Sequence, residues 1–172
     1  QELHDFWLPK GAIIKTHKTE QVEIDYSKYS HRPPLEHQKI AIEKLVGTKR
    51  FILADDMGLG KTTSTIIAAL ETGEQKILII CPASLKINWE REIRNYTDRS
   101  VYISEGKNFS TEHDFVIVNY DILKNFYDVK NKDKSPITLA NFGLVIIDEA
   151  HYIQNGQAQR TKLVNSFVKN VK

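Results

Sequence analysis

An apolar stretch, Phe51 to Ala54, runs into Asp55-Asp56-Met57-Gly58-Leu59-Gly60-Lys61-Thr62, and a helical stretch follows from Thr62 to Leu70, carrying Ile66, Ile67 and Leu70. Strand, glycine-bearing loop and helix, in that order, is the context in which such a loop has a mechanism. Glycines at 58 and 60 let the backbone turn its N–H groups toward one point and approach an anion closely. A helix opening near Lys61 adds its positive dipole end. Lys61 is then placed to reach the β- and γ-phosphates of a nucleotide, and the Thr62 hydroxyl to ligate magnesium. Met57, Gly58, Leu59, Gly60, Lys61, Thr62 and Thr63 are therefore the candidate nucleotide-binding run. A plain glycine turn with a solvated Lys61 would explain a lone Gly-Lys-Thr, but not the strand, the spacing and the helix together. Asp55 stands where the general phosphate-loop pattern has its first glycine.

A second signal is Leu144-Val145-Ile146-Ile147-Asp148-Glu149-Ala150-His151, two carboxylates at the end of a buried-type strand. Strand ends in a parallel α/β sheet share one edge with the phosphate loop. Asp148 would hold magnesium, directly or through water, because magnesium keeps several waters and few carboxylates. Glu149 would position or activate an attacking water. The competing explanation is an acidic helix start, with Asp148 capping and Glu149 favourable to the dipole. Asp148 follows Lys61 by 87 residues (148 minus 61) with other strands between, which favours the catalytic assignment.

The rest of the chain predicts the framework. Short apolar runs at Ile77 to Cys81, Val101 to Ile103, Phe115 to Val118 and Leu144 to Ile147 are mostly continuous rather than alternating, as strands covered on both faces are. Glu36 to Val46 reads as a helix with Ile40, Ala41 and Leu45 inward and Gly47 as its stop. Leu85 to Tyr96 reads as another, with Ile87, Trp89 and Ile93 inward and Ser84 as its N-cap. Strands alternating with helices predict an α/β fold: a mostly parallel sheet with helices on both faces. Right-handed crossovers place the loops after the strands along one edge. Lys124 to Asn141, with Lys130, Lys132 and Lys134, reads as a polar surface connector. Residues 1–34 read as an N-terminal extension: Val22, Ile24 and Tyr26 alternate with Glu23 and Asp25 like a strand, with Gly11 to Lys15 as a hairpin partner, before Pro33-Pro34 stops regular structure.

Composition narrows the classes. The chain has 172 residues, 41% hydrophobic and 27% charged, which fits one ordinary globular domain. Its 24 basic and 22 acidic residues give a net charge of +2, so any basic nucleic-acid surface must be local. A single cysteine, Cys81, excludes an intrachain disulfide. No basic-then-apolar leader opens the chain, and its apolar runs are too short to cross a bilayer. A soluble intracellular protein is expected.

Together these motifs resemble those of the first RecA-like, phosphate-loop lobe of Swi/Snf-type superfamily-two helicases, the DNA translocases. Residues 55–62 are similar to motif I of that family, in which the non-glycine at 55 is usual, and Asp148-Glu149-Ala150-His151 to motif II. Tyr152-Ile153-Gln154-Asn155 follows with Gln154 where lysine is common. Leu35-Glu36-His37-Gln38 resembles the adenine-recognition motif, in which Gln38 would read the adenine edge. Ile80 to Leu85 with Trp89 and Glu92 is similar to motif Ia, and Val116 to Asp121 to motif Ib. The order and spacing agree from about residue 35 to 165, and residues 35–172 are expected to form the lobe.

The resemblance implies ATP and Mg2+ as ligands, catalytic roles for Lys61, Asp148 and Glu149, and metal contacts from Thr62 and Asp148. It also implies double-stranded DNA as partner, touched through its backbone by the loops carrying Pro82, Ser84, Asn119 and Tyr120. Loop capping by Ser84 and Asn119 is the other explanation of those residues, because no basic cluster accompanies them. His151 would couple the nucleotide site to the rest of the motor, or serve as a structural histidine.

Motif III and a second lobe with motifs IV to VI do not occur in the 172 residues. Motif VI supplies an arginine finger, a group worth roughly 10³ to 10⁵ in rate in related systems. The chain is therefore expected to be a piece of a longer DNA-stimulated ATPase, binding nucleotide weakly alone and turning it over slowly or not at all. Two further readings stay open: the lobe of an RNA helicase or restriction-type translocase, and a non-catalytic module that docks on DNA or protein.

Overall fold

The computed structural model describes residues 20–48, 60–153 and 158–168. Four strands, β1 (Ile77–Cys81), β2 (Val101–Ile103), β3 (Phe115–Asn119) and β4 (Leu144–Ile147), pair in parallel in the order β2-β3-β1-β4. Every residue of β1 and β3 is buried, which is why their sequences are apolar without alternation. The pleat still divides them. Ile77, Ile79, Cys81, Phe115 and Ile117 enter one core, and Leu78, Ile80, Val116 and Val118 enter the other. Helices α1 (Glu36–Thr48), α2 (Lys61–Glu71) and α3 (Lys86–Arg94) cover the first face. Residues 120–142, including the short α4 (Pro136–Leu139), and α5 (Gln159–Val168) cover the second. The expected α/β sheet with helices on both faces is thus formed. No helix among the described residues is long and apolar enough to cross a membrane.

Several local expectations are corrected. Helix α1 turns Gln38 and Ile42 inward, four residues apart on one face, and leaves Ile40 57% exposed. It runs through Gly47 to Thr48, and the Gly47 carbonyl accepts the Glu20 N–H at 3.3 Å. In α3 the inward stripe is Trp89 and Ile93, so Ile87, two positions earlier, is 74% exposed. Ser84 does not cap α3. It lies inside a tight turn, Ala83–Leu85, closed by the Leu85 N–H on the Pro82 carbonyl, and Leu85 is the cap residue.

Residues 22–26 form no strand. The alternation is real, since Ile24 is buried between exposed Glu23 and Asp25, but Asp25 accepts the Ser27 N–H at 2.9 Å and starts a 3-10 turn, Tyr26–Tyr29. That turn packs on the lobe: the Tyr29 hydroxyl donates to Glu71, and Lys28 pairs with Glu71 at 2.8 Å. The connector from Lys124 to Asn141 is not a plain surface loop. Lys130 and Lys134 are exposed, while Phe126, Tyr127, Ile137 and Ala140 are buried in the second core. The expected hairpin partner Gly11 to Lys15 and the expected strand Phe51 to Ala54 lie outside the described residues.

Candidate functional site

Helix α2 begins on Gly60, which adopts φ +74°, a left-handed conformation that favours glycine. The Gln38 side chain from α1 packs against it, its Nε2 donating to the Gly60 carbonyl at 3.4 Å, while its Oε1 accepts the Leu35 N–H at 2.9 Å. A Cβ on Gly60 would stand 2.2 Å from Gln38 Nε2. Gly60 is therefore held tightly at a helix N-terminus, with the Gln38 amide in the space a Cβ would take. Lys61, Thr62 and Thr63 form the first turn of α2 and are half-buried. Ser64 is buried behind them, its N–H on the Gly60 carbonyl at 3.1 Å. Met57, Gly58 and Leu59 lie outside the described residues.

The carboxyl ends of β1, β3 and β4 meet at one sheet edge, because the three strands are parallel and in register. Asp148 extends β4 by one bond, its N–H on the Ile80 carbonyl at 2.9 Å. Its carbonyl accepts the Tyr120 hydroxyl at 2.5 Å. Its carboxylate takes two donors: the Glu149 N–H on Oδ1 at 2.9 Å and the Trp89 indole N–H on Oδ2 at 2.8 Å. A cap would bond amides in the following turn, whereas one oxygen of Asp148 is engaged by a helix on the sheet face. Glu149 sits at φ +54°, an uncommon conformation for a residue with a side chain, and its Oε2 lies 3.0 Å from His151 Nδ1.

Beside Asp148, Tyr120 and Tyr152 stack in parallel with centroids 5.7 Å apart, and the Arg160 guanidinium lies 5.6 Å from the Tyr152 centroid. Pro82, Ala83, Ser84, Tyr120, Asp121 and Tyr152 line a cavity of about 300 Å³. Three of the four residues expected at the nucleic acid, Pro82, Ser84 and Tyr120, thus share one concavity, while Asn119 is buried at the end of β3. Two clusters emerge, Gln38 with Gly60 and Asp148 with Glu149, Tyr120 and Trp89. Sequence reasoning placed Trp89 only as a core and motif residue. Its bond to Asp148 spans 59 positions and had no signal in spacing.

Buried thiol and phenol groups, at this edge and in the 26–29 turn, give the fold an alkaline signature. Burial pushes the Cys81 thiol from 9.0 up to about 12, with the Asp148 charge adding to the effect and Lys86 opposing it. Burial also raises Tyr120 and Tyr29, and takes Tyr26 up to about 12. In each case the unfolded chain ionises before the folded one. Their stability contribution is therefore complete below pH 9.0 and falls as pH rises toward about 12. Urea midpoints measured from neutral to alkaline pH should decline from about pH 9. Cys81→Ala should flatten the first part of that decline, below the ordinary tyrosine value of 10.0.

Comparisons with known proteins give the chain a family. The SNF2-related domain family matches residues 37–172. The ISWI chromatin-remodeling complex ATPase ISW1 of Saccharomyces cerevisiae is 32% identical over 126 residues, covering 67% of this chain and 11% of that protein. The SWI/SNF-related matrix-associated actin-dependent regulator of chromatin subfamily A-like protein 1 of Xenopus laevis is 33% identical over 129 residues, 72% of this chain and 13% of that protein. The Uncharacterized ATP-dependent helicase MG018 of Mycoplasma genitalium is 33% identical over 129 residues, 69% of this chain and 12% of its own length. The chain thus spans only 11% to 13% of these relatives.

Proposed function

Because this chain belongs to the SNF2-related domain family, we propose that it is the ATP- and magnesium-binding first lobe of a motor that hydrolyses ATP to move along double-stranded DNA. The observation that carries the reading is the cradle at the start of α2, where Gln38 closes on a left-handed Gly60 directly before Lys61 and Thr62. The residues fit a nucleotide: a helix N-terminus, a cation in its first turn and a glutamine amide beside them.

In this reading Lys61 and the α2 N-terminus, with Met57, Gly58, Leu59 and Gly60, hold the phosphates, and Gln38 faces the adenine. Thr62 and Asp148 hold magnesium, which would neutralise phosphate charge. Glu149 orients the attacking water and takes its proton, with His151 at 3.0 Å to steady its carboxylate. The cavity at Pro82, Ser84 and Tyr120, with Asn119 behind it, faces the DNA backbone. Residues 35–172 make the lobe and 1–34 an extension of it. A second lobe supplies the transition-state clamp, so these 172 residues alone bind nucleotide weakly and turn it over slowly or not at all.

The test is a titration of the chain with a fluorescent ATP analogue, with and without magnesium. Saturable binding that requires magnesium is expected. Salt-sensitive duplex binding that ignores ATP, with no nucleotide binding, would overturn the motor reading in favour of a docking module. In a two-lobed protein carrying this lobe, ATPase stimulated by duplex DNA is expected, and stimulation by RNA alone would reject the DNA assignment.

A further inference from the structure

We infer that Trp89 is a positioning residue for the metal-binding carboxylate, holding Asp148 Oδ2 through a neutral N–H so that the carboxylate is oriented and keeps its charge for magnesium. The inference rests on the assignment of Asp148 as a magnesium ligand.

Trp89 is 2% exposed, packed on α3 among the first-core residues that include Ile66, Ile79 and Ile93. A buried indole N–H needs an acceptor, and this one finds a carboxylate on the far strand rather than a nearby carbonyl. Among the described residues, the hydrogen-bond partners of Asp148 frame it on four sides. Its N–H is on Ile80, its carbonyl takes Tyr120, Oδ1 takes the Glu149 N–H and Oδ2 takes Trp89. All four partners are neutral. Among the described residues no cation lies within ion-pair distance of Asp148.

That combination matters physically. A lysine or arginine partner would orient the carboxylate but compensate its charge, whereas an N–H donor orients it and leaves the charge to a cation. An ionised carboxylate has about four acceptor positions, so two hydrogen bonds leave it able to take a metal or a metal-bound water. Groups that orient metal ligands in this way typically change metal affinity by about 10- to 100-fold when removed. The ring anchors the donor: indole packing in the core gives Oδ2 a partner fixed to α3, the helix that follows the Pro82–Leu85 turn.

The experiment uses the 172-residue chain and a fluorescent ATP analogue, titrated with magnesium at fixed nucleotide. Trp89→Phe should raise the magnesium concentration for half-maximal binding by about 10- to 100-fold and leave the binding reached at saturating magnesium unchanged. A loss that saturating magnesium does not restore, or no loss, would overturn the inference, since a packing role alone would produce one or the other. A second measurement leaves Trp89 in place. Trp7→Phe makes Trp89 the single tryptophan of the chain, and its emission should shift when magnesium and unlabelled ATP are both added. Adding Asp148→Asn should abolish that shift. Constant Trp89 emission in a protein that binds nucleotide with magnesium dependence would overturn the inference and leave the ATP-binding reading standing. Failure of the unsubstituted chain to bind nucleotide at all would remove both.

Discussion

Lys61→Ala should weaken magnesium-dependent nucleotide binding by roughly 10- to 100-fold, the equivalent of about 1.5–3 kcal/mol for a hydrogen bond to a charged group. Lys61 is the first residue of α2, directly after the left-handed Gly60 that Gln38 covers. Its ammonium is the cation that the first turn adds to the helix N-terminus, and a triphosphate is its natural partner. Alanine is a strong helix former, so the substitution removes the charge without disturbing α2. A thermal melt should show the variant folded, while a titration with the fluorescent ATP analogue should show its binding lost or shifted out of range. Binding equal to that of the unsubstituted chain would mean that the start of α2 is a structural turn.

Phe126→Ala should destabilise the fold by about 3–5 kcal/mol, the usual loss for a buried phenylalanine. For a domain of this size that corresponds to a fall in Tm of roughly 6–20 °C. Phe126 is 2% exposed in the second core, its ring 4.9 Å from that of Phe109, and its carbonyl accepts the Ile137 N–H at 3.2 Å. Truncation would open a hole beneath the sheet face, while the backbone bond to Ile137 survives. Lys130→Ala, in the same connector but exposed, should stay within about 0.5 kcal/mol. Its N–H bond to Asp128 Oδ1 belongs to the backbone and survives the change. Differential scanning calorimetry of the two variants separates a core element from a surface loop, and equal small shifts would restore the surface reading.

Much of this organisation was legible in the chain. The runs that became β1 and β3 were readable because a strand buried on both faces can carry little besides apolar residues, and β2 and β4, half-buried at the two edges of the described sheet, keep the same apolar character. Helices α1, α2 and α3 were readable in position but less so in rotation. Ile40 and Ile87 are apolar yet exposed, while Gln38 is polar yet 7% exposed, because the cradle at Gly60 needs an amide there. The connector misled because its lysines dominate its composition, whereas its few aromatic residues decide its packing. The alternation at 22–26 reported burial correctly, but alternation needs a partner strand to become a ladder, and Asp25 offers the backbone a turn instead.

The sequence by itself determined the α/β class, the start of α2 on Gly60-Lys61-Thr62 and the carboxylates at the end of β4, because each depends on local order: glycine before a helical run, and apolar run before acid. Tertiary structure alone decided which distant groups meet. Trp89 reaches Asp148 across 59 positions, Tyr120 reaches the same residue across 28, and Gln38 reaches Gly60 across 22. Those contacts exist because parallel strands in register bring their carboxyl ends to one edge and because helices pack over one sheet face. Spacing along a chain carries no record of that folding, so the groups that orient the site become visible only when the sheet is assembled.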